Sequence, residues 1–316
     1  MLVPLTFTSI NLGCSDDEII IDNWENKHKK PVKLRVGIYS DPHAGYDGSQ
    51  EFQPSEVYHR RVIDNLLRES PDMVICMGDQ VHNLGTNQWS KFDEITSDLR
   101  SKIPFYPLIG NHDSFVGLEK YLDFFDGYIP QNGNGNYYYI EDPLALFVCM
   151  DVHSNVRLSQ DQENWIKQTL DTKSKRFNFL VLHYPPYTTA GRGPYQNVKE
   201  SINSLLNSYD ITAVLSGHIH AYERFVIQTQ DNNERNFIVA GGGGGFGCSS
   251  TKPNGAHCLD ANAETNYLKQ LRVAKSQEHH FMIMSITEDS CSISVYDYTM
   301  QRIIDTVFLK PSRILL

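Results

Sequence analysis

The chain has 316 residues, with 28 Lys and Arg against 38 Asp and Glu, a formal net charge of −10. No basic stripe is present to neutralise a nucleic-acid backbone, which argues against long DNA or RNA as a substrate. No stretch approaches the ~20 apolar residues of a membrane-spanning helix, and the length is ample for one large core.

Residues 1–10 are apolar, and Asn11-Leu12-Gly13-Cys14 then leads into the acidic run Ser15-Asp16-Asp17-Glu18. This segment resembles a bacterial lipoprotein signal, although it lacks a basic leader. The resemblance implies lipidation at Cys14, export to the cell envelope (periplasm or surface), and a membrane link only through that anchor. Without such processing the chain would stay cytoplasmic. Residues 1–31 are then signal and tether, and residues 32–316 one catalytic domain.

Five apolar runs follow, each ending on polar residues able to bind metal. Residues 33–40 read as a strand ending at Asp41-Pro42-His43, and 72–77 as one closed by Gly78-Asp79. Residues 105–109 run into Gly110-Asn111-His112-Asp113, 177–182 end on His183, and 211–216 end on Gly217-His218-Ile219-His220. In α/β sheets ligands bind beyond the carboxyl ends of strands, so this reading gathers all five motifs at one edge. Gly78, Gly110 and Gly217 each precede a candidate ligand, as sharp strand exits require.

Between these runs the pattern predicts helices over 57–69, 89–99, 118–125 and 160–170, with Ser159 as the N-cap of the last. Residues 137–140 and 144–150 read as strands, as do 224–229, 236–240, 281–287, 292–298 and 302–309. Gly241 to Gly245 lack the Lys-Ser/Thr of a phosphate loop, so no nucleotide cofactor is assigned and the run reads as a flexible loop near the site. Cys248 and Cys258, ten residues apart, are a candidate disulfide in an oxidising compartment. Residues 248–278 read as a polar insertion with a short helix near 266–274, rimming a substrate pocket together with loops 44–58 and 184–197. Cys76 and Cys149 lie in apolar strands and read as reduced core residues.

The donor types set the chemistry. Asp41, Asp79, Asn111, His43, His183, His218 and His220 supply two aspartates, one asparagine and four histidines. Two divalent metals about 3.5–4 Å apart clamp an in-line displacement at phosphorus, and a carboxylate must bridge them. A mixed oxygen and nitrogen set without thiolate favours Mn, Fe, Zn or Co.

This ordered set, D-x-H, GD, GNHD, H and GHxH, resembles the calcineurin-like metallophosphoesterase superfamily. The resemblance implies an α/β (α+β) fold, a four-layer αββα sandwich of two mixed β-sheets flanked by helices. It implies that Asp41, His43 and His220 hold one metal, that Asn111, His183 and His218 hold the second, and that Asp79 bridges. His112 would act on the substrate side, with Asp113 orienting it. The expected reaction is one-step attack of a metal-bound hydroxide on phosphorus, in phosphomonoesters or small phosphodiesters.

Residues 217–224, Gly-His-Ile-His-Ala-Tyr-Glu-Arg, are similar to the GHxHAYER segment of purple acid phosphatases. Those enzymes carry D-x-G and GDxxY where this chain has Asp41-Pro42-His43 and Gly78-Asp79-Gln80-Val81-His82. Their tyrosinate ligand is thus missing, and His43 takes its place as ligand. His82 reads as a supporting or surface residue, with approach to the substrate as the alternative. The runner-up function is a cyclic-nucleotide or phospholipid-headgroup phosphodiesterase, and the non-enzymatic alternative is an inactive metal-binding scaffold. The motifs leave the leaving group and the oligomeric state open.

Overall fold

The computed structural model describes residues 33–83, 87–152, 157–229 and 233–312. Cys14 and the segment around it lie outside the described residues. Lys33–Leu316 forms one unit built on two sheets.

The first sheet has six strands. β1 (Lys33–Tyr39), β2 (Met73–Cys76) and β3 (Phe105–Pro107) run parallel. The second sheet begins with the antiparallel pair β4 (Tyr138–Glu141) and β5 (Ala145–Cys149). It continues through β6 (Phe177–Leu182) and β7 (Ala213–Ser216), then takes in β8 (Tyr222–Gln228), β9 (Glu234–Ala240) and β10 (Arg272–Ser276). The chain returns to the first sheet with β11 (His280–Thr287), β12 (Cys291–Asp297) and β13 (Ile303–Leu309), all antiparallel. The strand orders are β13-β12-β11-β1-β2-β3 and β10-β8-β9-β7-β6-β5-β4. Both sheets are mixed, as the resemblance implies.

Strand alternation sets the layers. On β5, Leu146 and Val148 join the cluster with Ile166 and Leu170 of helix α5 (Gln160–Lys173) and Val198 and Ile202 of helix α6 (Gln196–Leu206). Their neighbours Ala145, Phe147 and Cys149 join the other cluster, with Ile38 of β1 and Met284 of β11. That cluster also takes Val62 and Leu66 of helix α1 (Ser55–Glu69) and Phe92 and Leu99 of helix α2 (Gln88–Lys102). Helices thus cover the outer faces, and the sheets pack through side chains between them. Cys76, Cys149 and Cys291 are buried free thiols in this core. Among the described residues, no helix is long and apolar enough to cross a membrane.

Helix starts follow local chemistry. The Ser159 hydroxyl accepts the Gln162 N–H at 3.2 Å and caps α5. Two short helices, α3 (Asn111–Val116) and α4 (Leu118–Phe124), follow β3. Three details differ from the sequence reading. Residues 196–206 are helical, with Val198, Ile202 and Leu205 on the buried face. Residues 266–274 do not form one helix: a 3-10 turn spans Ala263–Gln270, and β10 then pairs antiparallel with β8 at the sheet edge. The glycine run is close-packed and buried, with Gly243 N bonded to Ser40 O at 2.8 Å and Gly245 N to Asp41 O at 2.9 Å.

Candidate metal centre

The carboxyl ends of β1, β2, β3, β6 and β7 bring five loops together. Their backbones are interlocked. Asp41 N donates to Gly78 O and His43 N to Asp79 O, both at 3.0 Å, and Gly217 N donates to His183 O at 3.0 Å. Asp41, His43, Asp79 and His218 all have positive φ, at 59°, 47°, 53° and 67°. Non-glycine residues rarely adopt that region, and such strain gathers at functional sites. Close approach also demands glycine beside them. A Cβ on Gly110 would lie 2.2 Å from Asp79 Oδ1, and one on Gly245 would lie 2.6 Å from His220 Cε1 and 2.8 Å from His43 Cδ2.

Two groups of buried donors result. Asp41, His43 and His220 form one, and Asp79, His183 and His218 form the other. Asn111 joins the second group, its Oδ1 3.1 Å from His183 Nε2. Asp79 stands between them: its Oδ2 is 3.4 Å from His43 Nε2 and 3.3 Å from His183 Nε2. The two aspartates remain anionic. Burial opposes their ionisation, but the neighbouring His183 and the contacts with His43 hold Asp79 well below the usual carboxylate range, and His183 with His220 does so for Asp41.

The proton positions show what this arrangement requires. His183 Nδ1 faces Met77 O at 2.9 Å and His220 Nδ1 faces Phe246 O at 2.5 Å. A carbonyl only accepts, so both Nδ1 atoms carry protons. Against their burial, Asp79 and Asp41 push His183 and His43 up to about 9, so without an ion these two rings carry the positive charge. In neutral rings, as ligation requires, Nε2 turns a lone pair towards Asp79 Oδ2 from His183 and towards Asp41 Oδ1 from His220, the latter at 3.5 Å. Asp41 Oδ1 and His43 Nε2 are buried without a hydrogen-bond partner. Buried carboxylates converging with these rings need positive charge beside them, from ring protons or from metal ions. The donor set therefore fits two divalent metals of the Mn, Fe, Zn or Co type.

Surrounding residues fix these rings. The Tyr195 hydroxyl lies 2.7 Å from His218 Nε2. His257 stacks on His220, and Nδ1 of His257 accepts the His220 N–H at 3.3 Å. Glu223 is buried and accepts Thr188 Oγ1 and Thr189 Oγ1, both at 2.6 Å, together with Arg272 Nη1 at 2.9 Å. It thereby braces the loop that follows His183. Tyr195 and His257 carried no motif that sequence reasoning could use.

His112 borders the centre, half-buried, with its N–H on Asp79 Oδ1 at 2.8 Å and its Nδ1 against His82 O. The expected pairing of Asp113 with the His112 ring is corrected. Both Asp113 oxygens are taken by backbone donors, Gly110 N at 2.9 Å and Val81 N at 3.2 Å. Burial first, and then the charge of Asp79, raise this carboxyl to about 7. Asp113 therefore joins the β2 and β3 exit loops. His82 lies inside the site, its Nδ1 3.0 Å from His43 Nδ1.

A cavity of about 570 Å³ opens beside His82 and His257, lined also by Tyr46, Phe52, Phe246 and Lys252. Its walls come from two of the three loops expected to rim the pocket. Cys258, bridged to Cys248, is part of the wall. Glu51 ties that loop down, accepting Ser249 Oγ and Ser250 Oγ, both at 2.6 Å.

A family model described as calcineurin-like phosphoesterase matches residues 34–222. The chain belongs to that family. Among curated phosphoesterase relatives, human tartrate-resistant acid phosphatase type 5 is 25% identical over 202 residues, 54% of this chain and 61% of that protein. A probable glycerophosphodiester phosphodiesterase of Arcobacter nitrofigilis is 29% identical over 167 residues, covering 49% of this chain and 59% of its own length. Less than two thirds of either relative is therefore matched. The structure of a purple acid phosphatase from yellow lupin (Lupinus luteus) seeds superposes with a TM-score of 0.70 at 20% identity, over 89% of this chain and 54% of that one. That likeness shows a shared fold of two mixed sheets flanked by helices.

Proposed function

We propose that this chain is a binuclear-metal phosphoesterase acting on phosphomonoesters or small phosphodiesters. The observation that carries the reading is the place of Asp79, one oxygen of which faces His43 Nε2 and His183 Nε2 at 3.4 and 3.3 Å. Asp41, His43 and His220 would hold one metal, Asn111, His183 and His218 the other, and Asp79 both. Divalent metals in such a site supply Lewis-acid polarisation of phosphoryl oxygens and lower the pKa of water.

The chain's own groups do the rest. The Asp79 contact to the His112 N–H holds the His112 backbone against the centre, and the His82 carbonyl holds its Nδ1 proton. With that proton fixed on Nδ1, Nε2 of His112 is left as a lone pair and must first take up a second proton from solvent before it gives one to the departing alkoxide. Burial and the neighbouring His43 oppose that charge. Asp113 keeps the two loops that carry Asp79 and Asn111 in register. The apolar rings of Tyr46, Phe52 and Phe246 receive the organic part of the ester and exclude water. His43, in place of a tyrosinate, and the Arcobacter relative favour diesters as a second substrate class. The disulfide supports export to an oxidising compartment, in line with a lipid anchor at Cys14.

Metal-reconstituted protein should hydrolyse nitrophenyl phosphate or bis-nitrophenyl phosphate with at least one of Mn, Fe, Zn or Co. Failure on both, and on a nucleotide panel, with every metal overturns the proposal.

A further inference from the structure

We infer that His82 is a positioning residue for the metal centre, accepting the His43 Nδ1 proton so that His43 Nε2 presents its lone pair to the ion. The inference rests on the metal-dependent reading above.

The geometry allows few alternatives. His43 Nδ1 and His82 Nδ1 are 3.0 Å apart, so one proton must lie between them; two lone pairs at that distance repel. A proton on His82 Nδ1 would leave the Nε2 proton of a neutral His43 aimed at Asp79 Oδ2, 3.4 Å away, and no lone pair for a metal. A proton on His43 Nδ1 leaves Nε2 free as a donor, among Asp41, Asp79 and His220. Ligating histidines commonly give their second N–H to an acceptor that fixes tautomer and ring angle. In this chain that acceptor is another imidazole.

His43, His82 and His112 also lie close enough to suggest a third metal group. A neutral imidazole has one lone pair, so His43 can serve only one side. The carboxylates of Asp41 and Asp79 are both on its Nε2 side, at 3.9 and 3.4 Å. His112 Nδ1 is committed to the His82 carbonyl. The trio is therefore a relay of fixed protons beside the centre.

His82 makes its two contacts with different atoms. Its side chain meets His43, and its carbonyl meets His112. The ring also stacks on that of His112, centroids 5.4 Å apart and planes 20° apart. A side-chain substitution can thus remove the His43 acceptor while the carbonyl remains. Asn places an oxygen near the position of Nδ1, and Phe keeps the ring without an acceptor.

The test uses the full chain as wild type, H82F and H82N, with Zn(II) affinity measured by chelator competition. In the zinc-loaded proteins, 15N-resolved NMR reads the His43 Nδ1 proton. H82F is expected to bind zinc about 10-fold or more weakly and to lose the slowly exchanging Nδ1 proton. H82N is expected to recover most of both. His82 is half-buried, and thermal melts check that each variant is folded. Wild-type zinc affinity and a retained proton in H82F overturn the inference and leave the phosphoesterase reading intact. Failure of H82N to rescue a folded H82F defect also overturns it. A wild-type chain that takes up no zinc or other divalent metal overturns both.

Discussion

His257 lies flat on His220, with ring centroids 3.8 Å apart and planes 11° apart. The residue after His257 is half of the Cys248–Cys258 bridge. The disulfide loop is thus pressed against a histidine of the first donor group, and at the same time it walls the cavity. Replacing both cysteines by serine frees an 11-residue loop in the unfolded chain and should cost about 2–3 kcal/mol in denaturant unfolding. Metal content should be unchanged, because the donors sit on strand ends. KM should rise more than kcat falls, because the cavity wall loosens. Loss of metal in a folded variant would instead make the loop part of the metal site.

Asp79→Ala tests the joint between the two groups. Asp79 Oδ2 faces nitrogens of both groups, and Asp79 Oδ1 holds the His112 N–H. The variant should lose both ions, measured as metal per chain after dialysis, and fall to background activity. A variant that keeps two ions contradicts the bridging role.

The motif set made the centre legible because every donor stands directly after an apolar strand, and parallel strands align their carboxyl ends. The same logic failed where contacts are long-range. Asp113 follows His112 in sequence, which suggested a pair. The α3 turn instead points its carboxylate at Gly110 N and Val81 N. Tyr195 reaches His218 from the loop before α6, and His257 reaches His220 from the disulfide loop. Neither carries a local pattern. The helix expected near 266–274 overruns the 3-10 helix into edge strand β10 at Arg272 to Ala274, because those residues gain their partner only from β8.

His112→Ala should keep both metals and lose about 10²–10⁴-fold in kcat, the usual span for a general acid. The loss should be largest for substrates with poorly leaving alkoxides and smallest for nitrophenyl esters. Equal losses across leaving groups would assign His112 a binding role.

Asp113→Ala separates the corrected role from the expected one. It strands two buried N–H groups, each costing about 1–3 kcal/mol, so the melting temperature should drop sharply. If Asp113 oriented the His112 ring, the variant would resemble His112→Ala in turnover while staying stable. Comparing unfolding free energies with kcat at a temperature where all chains are folded decides between the two.

Gly110→Ala examines how tightly the exit of β3 is packed. The added Cβ would meet Asp79 Oδ1 at 2.2 Å and Asp79 N at 2.3 Å. The second contact is backbone, and that backbone is held by the His43 N–H on Asp79 O. The loop cannot yield without moving Asp79, His43 and Asn111 together. The variant should therefore lose affinity for both metals, read by chelator competition, while the core strands keep their circular-dichroism signal. A change confined to one metal would mean that the β2 and β3 exits move independently.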